Sequence, residues 1–305
     1  MIDRLSILLP CYNNVCTDLV TALSRQAESI VNSGRRLDYE IIVADDGSTD
    51  HDAINRNKAI DRLPHARYVL RGHNTGRSAI RNWLAREARH PWLLFIDSDL
   101  GIDNDHYLAA YLALDGSEVA CGGYTVSGDP KALRHNLRYA YENKNRNKHM
   151  AAERLKHPYE NFHTSNFMIR RSIMLDHPLD ERIRRYGYED ILFGKNLGRL
   201  GISITHIDNP LVFNSFENNA AFTAKTSEGM ATLAEFENEL RGYSPLITMA
   251  ERLDRLHLTP FVRAMFKTFG KPIKNNITGN NPSLLLFNIY KLGTFCTLID
   301  GKRQR

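Results

Sequence analysis

Four apolar residues in a row, Leu93-Leu94-Phe95-Ile96, run directly into Asp97-Ser98-Asp99-Leu100. So short and unbroken an apolar run predicts a strand covered on both faces, and such strands belong to sheets flanked by helices. The polar end then lies at the carboxyl edge of the sheet, where open α/β sheets bind ligands. Asp97 and Asp99 stand two residues apart. Both would project from one face of a regular strand, or converge on one hard cation from the turn that follows. A cation there would offset the repulsion between the two carboxylates.

The pattern of apolar strand followed by polar residues recurs upstream. Leu5-Ser6-Ile7-Leu8-Leu9 is a strand expected to stop at Pro10, ahead of Cys11-Tyr12-Asn13-Asn14 and a helix to about Asn32. Tyr39 to Ala44 is a second strand, ending in Asp45-Asp46-Gly47-Ser48-Thr49-Asp50, where Ser48 or Asp50 can cap the next helix and Gly47 allows close backbone approach. Ala66 to Leu70 is a third, Gly76 to Arg89 its crossover helix, and Trp92 to Ile96 the fourth. Strand and helix alternating in this way predict a doubly wound, mostly parallel α/β sheet.

Beyond Asp99 the pattern predicts a helix near 103–114 and a strand over Val119 to Val126. A very polar helix or mobile loop follows from Lys131 to about Lys156, then a strand over Asn166 to Ile169, a helix over Leu192 to Leu200 and a short strand over Ile202 to Ile207. From about Ala221 the signals are helical, with breaks expected at Gly242 to Pro245, Gly270-Lys271-Pro272 and Gly279 to Pro282. The chain is therefore expected to divide into an α/β domain over 1–220 and a helical region over 221–305.

Composition enters as a set of exclusions. At 305 residues, 42% hydrophobic and 25% charged, the chain can bury a large core and is not a disordered one. Cys11, Cys16, Cys121 and Cys296 have neither zinc spacing nor the density of a disulfide scaffold, which suits a reducing, cytoplasmic setting. The first residues are expected to enter a strand at once, so no secretory leader is expected ahead of it. The net charge of +5 is modest, and no nucleic-acid partner is expected from it. Its distribution is uneven: Arg263, Lys267, Lys271, Lys274, Lys291, Lys302, Arg303 and Arg305 face a single acid, Asp300, in the last stretch. Such a tail is either a solvated basic surface or a contact with a phosphorylated acceptor or, peripherally, with the inner face of an anionic membrane. Ser283 to Ile299 is the most apolar part, but its 17 residues fall short of the roughly 20 that span a bilayer.

Four motifs in series carry a family resemblance: Leu8-Leu9-Pro10-Cys11-Tyr12-Asn13, the Asp45 to Asp50 run, Asn74-Thr75-Gly76-Arg77 with Arg81-Asn82, and Asp97-Ser98-Asp99. In order and spacing they resemble the family 2 glycosyltransferases of GT-A fold, over roughly residues 5–217. An Asp-x-Asp alone is common and Asp-Asp-Gly-Ser alone is a capping turn; their succession on strand ends makes the resemblance specific. It implies a GT-A fold and an inverting, metal-dependent hexosyltransferase. The donor would be a nucleoside-diphosphate sugar, UDP-linked, the cation Mn²⁺ or Mg²⁺, and the acceptor a hydroxyl of a glycan or lipid-linked molecule in polysaccharide or glycoconjugate synthesis.

On this resemblance Pro10, Tyr12 and Asn13, with Asp45 and Asp46, face the base and ribose, where a carboxylate accepts from a ring N–H or a hydroxyl; Asp45 could instead merely cap its helix. Arg77 pairs with diphosphate oxygens, and Arg81 is as readily structural. Asp97 and Asp99 serve the cation, Asp99 as direct ligand and Asp97 through ribose or a metal-bound water. In Tyr186-Gly187-Tyr188-Glu189-Asp190, Asp190 is the general base and Glu189 orients the acceptor, although two acids opening a helix also suit its dipole. His163-Thr164-Ser165-Asn166 resembles the segment beneath the donor sugar. The chain departs from the family where a metal-binding His is usual and Asn214 stands; His206, or Asn214 through its carbonyl oxygen, are the alternatives. Two rival readings remain. A sugar-phosphate nucleotidyltransferase would need a Gly-rich basic loop, which Pro10 to Asn13 is not. A non-catalytic sugar-nucleotide sensor or scaffold is favoured by Asn214 alone. The sugar, the linkage and the oligomeric state stay open.

Overall fold

The computed structural model describes residues 2–114 and 116–303, the side chain of Arg303 excepted. Arg305 and that side chain, counted above in the basic tail, lie outside the described residues. The chain divides into two compact units. The first comprises Met1–Ser127, Asn147–Arg184 and Phe193–Ser215; the second comprises Gly128–Arg146, Arg185–Leu192 and Phe216–Arg305.

The described strands are β1 (Arg4–Cys11), β2 (Asp38–Asp45), β3 (Ala66–Leu70), β4 (Trp92–Ile96), β5 (Val119–Cys121), β6 (Tyr124–Val126), β7 (Asn166–Arg170), β8 (Ile204–His206) and β9 (Leu211–Phe213). Seven form one sheet in the order β3-β2-β1-β4-β7-β5-β8, and β6 pairs with β9. All seven run parallel except β7, which is antiparallel to both β4 and β5. The mostly parallel α/β sheet expected from the alternation is what forms. Its central strands are buried throughout, from Leu5 to Leu9 and from Trp92 to Ile96, and Phe95 stacks on Phe167 of β7 at 4.8 Å. Strand order reverses at β1, with β2 and β3 on one side and β4 on the other. The carboxyl ends of β1 and β4 therefore flank a topological switch point.

β1 does not stop at Pro10. The Cys11 carbonyl accepts from Asp46 N–H at 2.8 Å, so Pro10, of opposite phase, faces the β4 side. Pairing with β4 has already ended there at Leu8 and Phe95, and the missing N–H costs no ladder bond. The single strand expected over Val119 to Val126 is broken in two at Gly122-Gly123. A Cβ on Gly122 would sit 2.5 Å from Asn166 Nδ2 and from Asn209 O, and Gly123 has φ +71 with Arg154 pressed against it. β9 has no counterpart among the predicted strands.

The polar stretch over 131–156 is neither a solvated helix nor a mobile loop. It forms helices Leu137–Asn145 and Ala151–Arg154, and Leu137, Glu142 and Arg154 are buried. Arg154 is satisfied without a carboxylate: its guanidinium donates to the carbonyls of His149, Cys121 (3.1 Å) and Ile207 (2.8 Å) and to His206 Nδ1 (3.1 Å). All four cysteines are buried and free.

The second unit is helical. Leu137–Asn145, Asn219–Glu235, Glu237–Leu240, Pro245–Arg255, Thr259–Thr278 and Leu284–Arg303 belong to it, with a core of Leu137, Phe222, Ile273, Ile277, Phe287 and Tyr290. The break expected at Gly270-Lys271-Pro272 does not occur. Pro272 and Thr268 are exposed, so the carbonyl that Pro272 leaves without a donor can be hydrated. The last helix is also longer than its apolar run: Leu284–Lys302 is long and apolar enough to cross a membrane by length and composition, with mean hydropathy 1.2.

Asn166, the first residue of β7, is the polar pin of the sheet's carboxyl edge. Tyr107 and Tyr111 hydroxyls donate to its Oδ1 at 2.6 and 2.7 Å, and its Nδ2 donates to Gly123 O (2.7 Å) and Asn209 O (2.9 Å). Burial raises both phenols well above their ordinary pKa, so they stay protonated donors. Asn166→Leu strands the Tyr107 hydroxyl and Asn209 O, while Gly123 O keeps Leu211 N–H (3.2 Å) and the Tyr111 hydroxyl keeps the Asn166 carbonyl (3.3 Å), and is expected to destabilise the chain by about 2–3 kcal/mol. The measurement is urea unfolding, with a lowered midpoint at unchanged slope.

Candidate active site

Four polar segments meet at the carboxyl edge of the first unit. The loop after β1 is fastened to the loop after β2 by Asn13, a non-glycine residue in the left-handed region (φ 50). Its Oδ1 accepts from Thr49 N (2.8 Å) and Asp50 N (3.0 Å), and its N–H donates to Ser48 Oγ (2.7 Å). Asp50, not Ser48, caps the next helix, accepting from Asp52 N and Ala53 N. Asn14 Nδ2 donates to Ser98 O at 2.6 Å, which ties the β1 loop to the turn after β4. Asn57, fully buried, holds the loop from behind through Asn14 O (2.8 Å) and Cys16 N (3.0 Å).

Asp45 and Asp46 do not face an open ribose subsite as expected. Asp45 is fully buried, taking Ser48 N at 2.7 Å and the Tyr68 hydroxyl. Burial, then the neighbouring carboxylate, raises the Tyr68 phenol far above its ordinary pKa and keeps it a donor. Asp46 accepts from Thr75 N (2.9 Å) and Gly76 N (2.9 Å) on one oxygen, and from Thr75 Oγ1 (2.7 Å) and Arg71 Nη1 (3.3 Å) on the other. A carboxylate has about four acceptor positions, and these contacts take them. Asp46 therefore shapes this edge of the sheet by fixing the 71–76 loop and the start of helix Arg77–Glu87. Gly47 (φ +76) permits this: a Cβ there would lie 2.6 Å from the His73 backbone. Tyr12, 47% exposed, and Arg77, exposed in the first turn of its helix, remain on the open side.

Asp97 and Asp99 lie just past β4. Asp97 N–H donates to Ser165 O (2.9 Å), so the His163-Thr164-Ser165 segment runs beside this turn. Asp97 Oδ1 pairs with Arg81, a buried arginine whose other amino group donates to Arg77 O (3.1 Å). Arg81 is thus the structural alternative foreseen for it, orienting Asp97 and leaving Asp99 exposed at the rim. His163 joins Tyr124 (5.4 Å between rings) and His149 (5.8 Å).

The third-ligand expectation fares differently at its two residues. His206 is buried, its Nδ1 accepting from Arg154 and its Nε2 bonded to Pro158 O at 2.9 Å, so neither nitrogen is left for a cation. Asn214 is exposed beyond β9. Among the described residues no group of three His, Cys, Asp or Glu converges on a metal position. The donor set at 97 and 99 still fits a hard divalent cation of the kind that takes one or two carboxylates and completes its shell with water and substrate phosphates.

The segment Arg185–Leu192 belongs to the second unit. Gly187 (φ 91) and Tyr188 (φ 71) are both left-handed, which for a tyrosine costs about 1–2 kcal/mol. The turn is held by Thr232 Oγ1 donating to Tyr186 O (3.1 Å), and it sets Glu189 and Asp190 in the first turn of helix Glu189–Arg199. Glu189 is buried and Asp190 half-buried. Burial, with Tyr141 and Asp190 nearby, raises the Tyr188 phenol.

Comparison with known proteins follows the same line. Residues 6–177 match the family model described as Glycosyl transferase family 2. A Haemophilus influenzae protein described as an uncharacterized glycosyltransferase is 31% identical over 104 residues, which cover 33% of this chain and 38% of that protein's length. S. aureus TarS 1-349, solved in complex with UDP-GlcNAc, superposes with a TM-score of 0.51 at 16% identity over 99% of this chain and 92% of its own. A mannosyltransferase from Pyrobaculum calidifontis, solved with GDP-Man and Mn2+, gives 0.51 at 14% identity over 99% and 87%. At such identities the likeness to the two structures is one of fold.

His206 makes its structural role measurable. Burial, opposed by the Pro158 bond and reinforced by Arg154, lowers its pKa to about 4, whereas an unfolded histidine titrates near 6.5. The unfolded chain binds this proton first on acidification, so the stabilisation is complete above about pH 6.5 and is lost as pH falls toward 4. The expected result is that the stability advantage of the wild type over His206→Gln shrinks across that window in urea melts at stepped pH.

Proposed function

Since this chain belongs to glycosyl transferase family 2, we propose that it moves a sugar from a nucleoside-diphosphate donor, UDP-linked, to a hydroxyl of a glycan or lipid-linked acceptor with inversion at the anomeric carbon. The observation that carries this reading is the meeting of the Asp97–Asp99 turn, the Tyr12-Asn13 loop and the Asp46-fixed 71–76 loop at one switch point. Nucleotide sugars bound by the similar structures, UDP-GlcNAc and GDP-Man, support the donor class.

The donor's diphosphate lies, in this proposal, against the exposed Arg77 side chain in the first turn of helix Arg77–Glu87, whose guanidinium favours negative charge. Tyr12 and Pro10 contact the base, and the buried Asp45 and Asp46 act through the loops they fix. Asp97 and Asp99 would hold a Mn²⁺ or Mg²⁺ ion, which supplies charge neutralisation at the diphosphate when bound. The acceptor oxygen attacks the anomeric carbon from the face opposite the phosphate. Asp190 takes its proton, the new glycosidic bond forms, and the bond from the anomeric carbon to the phosphate oxygen breaks to release the nucleoside diphosphate. Glu189 orients the acceptor.

Two substitutions divide the donor and acceptor roles. Asp99→Ala should abolish divalent-dependent donor binding in calorimetry, and Asp190→Asn should keep donor affinity within about twofold while lowering transfer by roughly 100-fold or more. Full transfer by Asp190→Asn would refute its assignment as base.

A further inference from the structure

The helical unit carries large apolar side chains that its own core does not use. Leu256 (66% exposed) and Leu258 stand either side of His257, a left-handed residue (φ 56), on a turn closed by Leu258 N–H to Leu253 O at 2.8 Å. Phe261 (67%) and Phe269 (55%) follow on helix Thr259–Thr278. The exposure is therefore built into ordered structure, and apolar exposure of this kind marks an interaction surface.

Helical spacing sets the surface out in detail. Phe261, Ala264, Thr268, Pro272 and Asn275 recur every three or four residues along the outer stripe, opposite Ile273 and Ile277 in the core. Lys267, Lys271 and Lys274, all exposed, line one flank of that stripe, and Phe269 lies on the other. From Arg255 to Thr278 the chain has five Lys or Arg and no Asp or Glu, and of the five Arg263 is paired with Asp300 of the last helix. Aromatic and leucine side chains edged by lysines match the boundary between anionic headgroups and acyl chains.

We propose that this face, Leu256 to Lys274, docks the enzyme on an anionic phospholipid surface, with Phe261 and Phe269 entering the acyl boundary and the three lysines on the phosphates. The docking is interfacial. Among the described residues the one helix long and apolar enough to cross a membrane, Leu284–Lys302, gives Phe287, Tyr290, Phe295 and Cys296 to buried positions in its own unit. The surface is independent of the transfer reaction proposed above and would survive its failure.

The test is flotation of the full chain with vesicles of phosphatidylglycerol mixed into phosphatidylcholine, against phosphatidylcholine alone. Flotation is expected with the anionic vesicles only and should reverse at high salt. The variant K267Q/K271Q/K274Q should bind roughly 100-fold more weakly, about fivefold per lysine. F261S/F269S should lose at least about tenfold. Both change exposed residues, and an unchanged thermal melt checks their folding. Equal binding to neutral vesicles, no loss in the lysine variant, or no flotation at all would overturn the proposal, the last leaving an acidic protein surface as occupant. Attachment that resists both salt and alkaline carbonate would overturn it in favour of a spanning helix.

Discussion

Burying a carboxylate is tolerable when its acceptor positions are filled, and Asp46 fills them with two backbone amides, a hydroxyl and a guanidinium. Much of the candidate site follows from that one group. It draws the 71–76 loop over the end of β2, and it sets Gly76 (φ +93) at the start of the helix that carries Arg77 and Arg81. Arg81 then reaches Asp97, and Asp97 N–H reaches Ser165 beyond it. One carboxylate thus links the motifs of three strands through hydrogen bonds that can be followed atom by atom.

This explains why the motifs were legible in the sequence while some of their roles were not. Each lies immediately after an apolar strand, and topology alone brings strand ends to one edge, so the β1, β2 and β4 motifs could be assembled from the alternation. Which way a carboxylate points is not a periodic property. Asp45 and Asp46 read as ribose contacts because they sit at the edge, and they turn inward because Tyr68 and Arg71, residues with no motif of their own, and Thr75, from the motif over 74–77, supply the donors. Asn57 likewise gave no signal, being one polar residue in a short helix. His206 read as a ligand because imidazole ligates metals; Arg154, inside a stretch that composition marks as solvated, is what occupies its nitrogen.

The helical unit shows the same division between pattern and contact. Its helices follow from helical signals in the sequence, yet the recruitment of Gly128–Arg146 and Arg185–Leu192 into it depends on contacts far apart in sequence. Pro272 predicts a break that hydration of one exposed carbonyl removes. The Glu189-Asp190 pair was visible, but the left-handed Tyr188 before it was not, because nothing in a Tyr-Glu-Asp string announces strain. Backbone strain held by tertiary contact is a feature of sites that must present a side chain in one orientation.

The proposed sugar transfer stands on donor turnover. Incubating the protein with a panel of nucleotide sugars and Mn²⁺, and following release of free nucleoside diphosphate, tests it without knowledge of the acceptor. Slow, divalent-dependent hydrolysis of a UDP-sugar in preference to the rest is the predicted result. Saturable nucleotide-sugar binding with no release of nucleoside diphosphate under any condition would contradict it, and would describe a sensor that keeps the pocket without the chemistry.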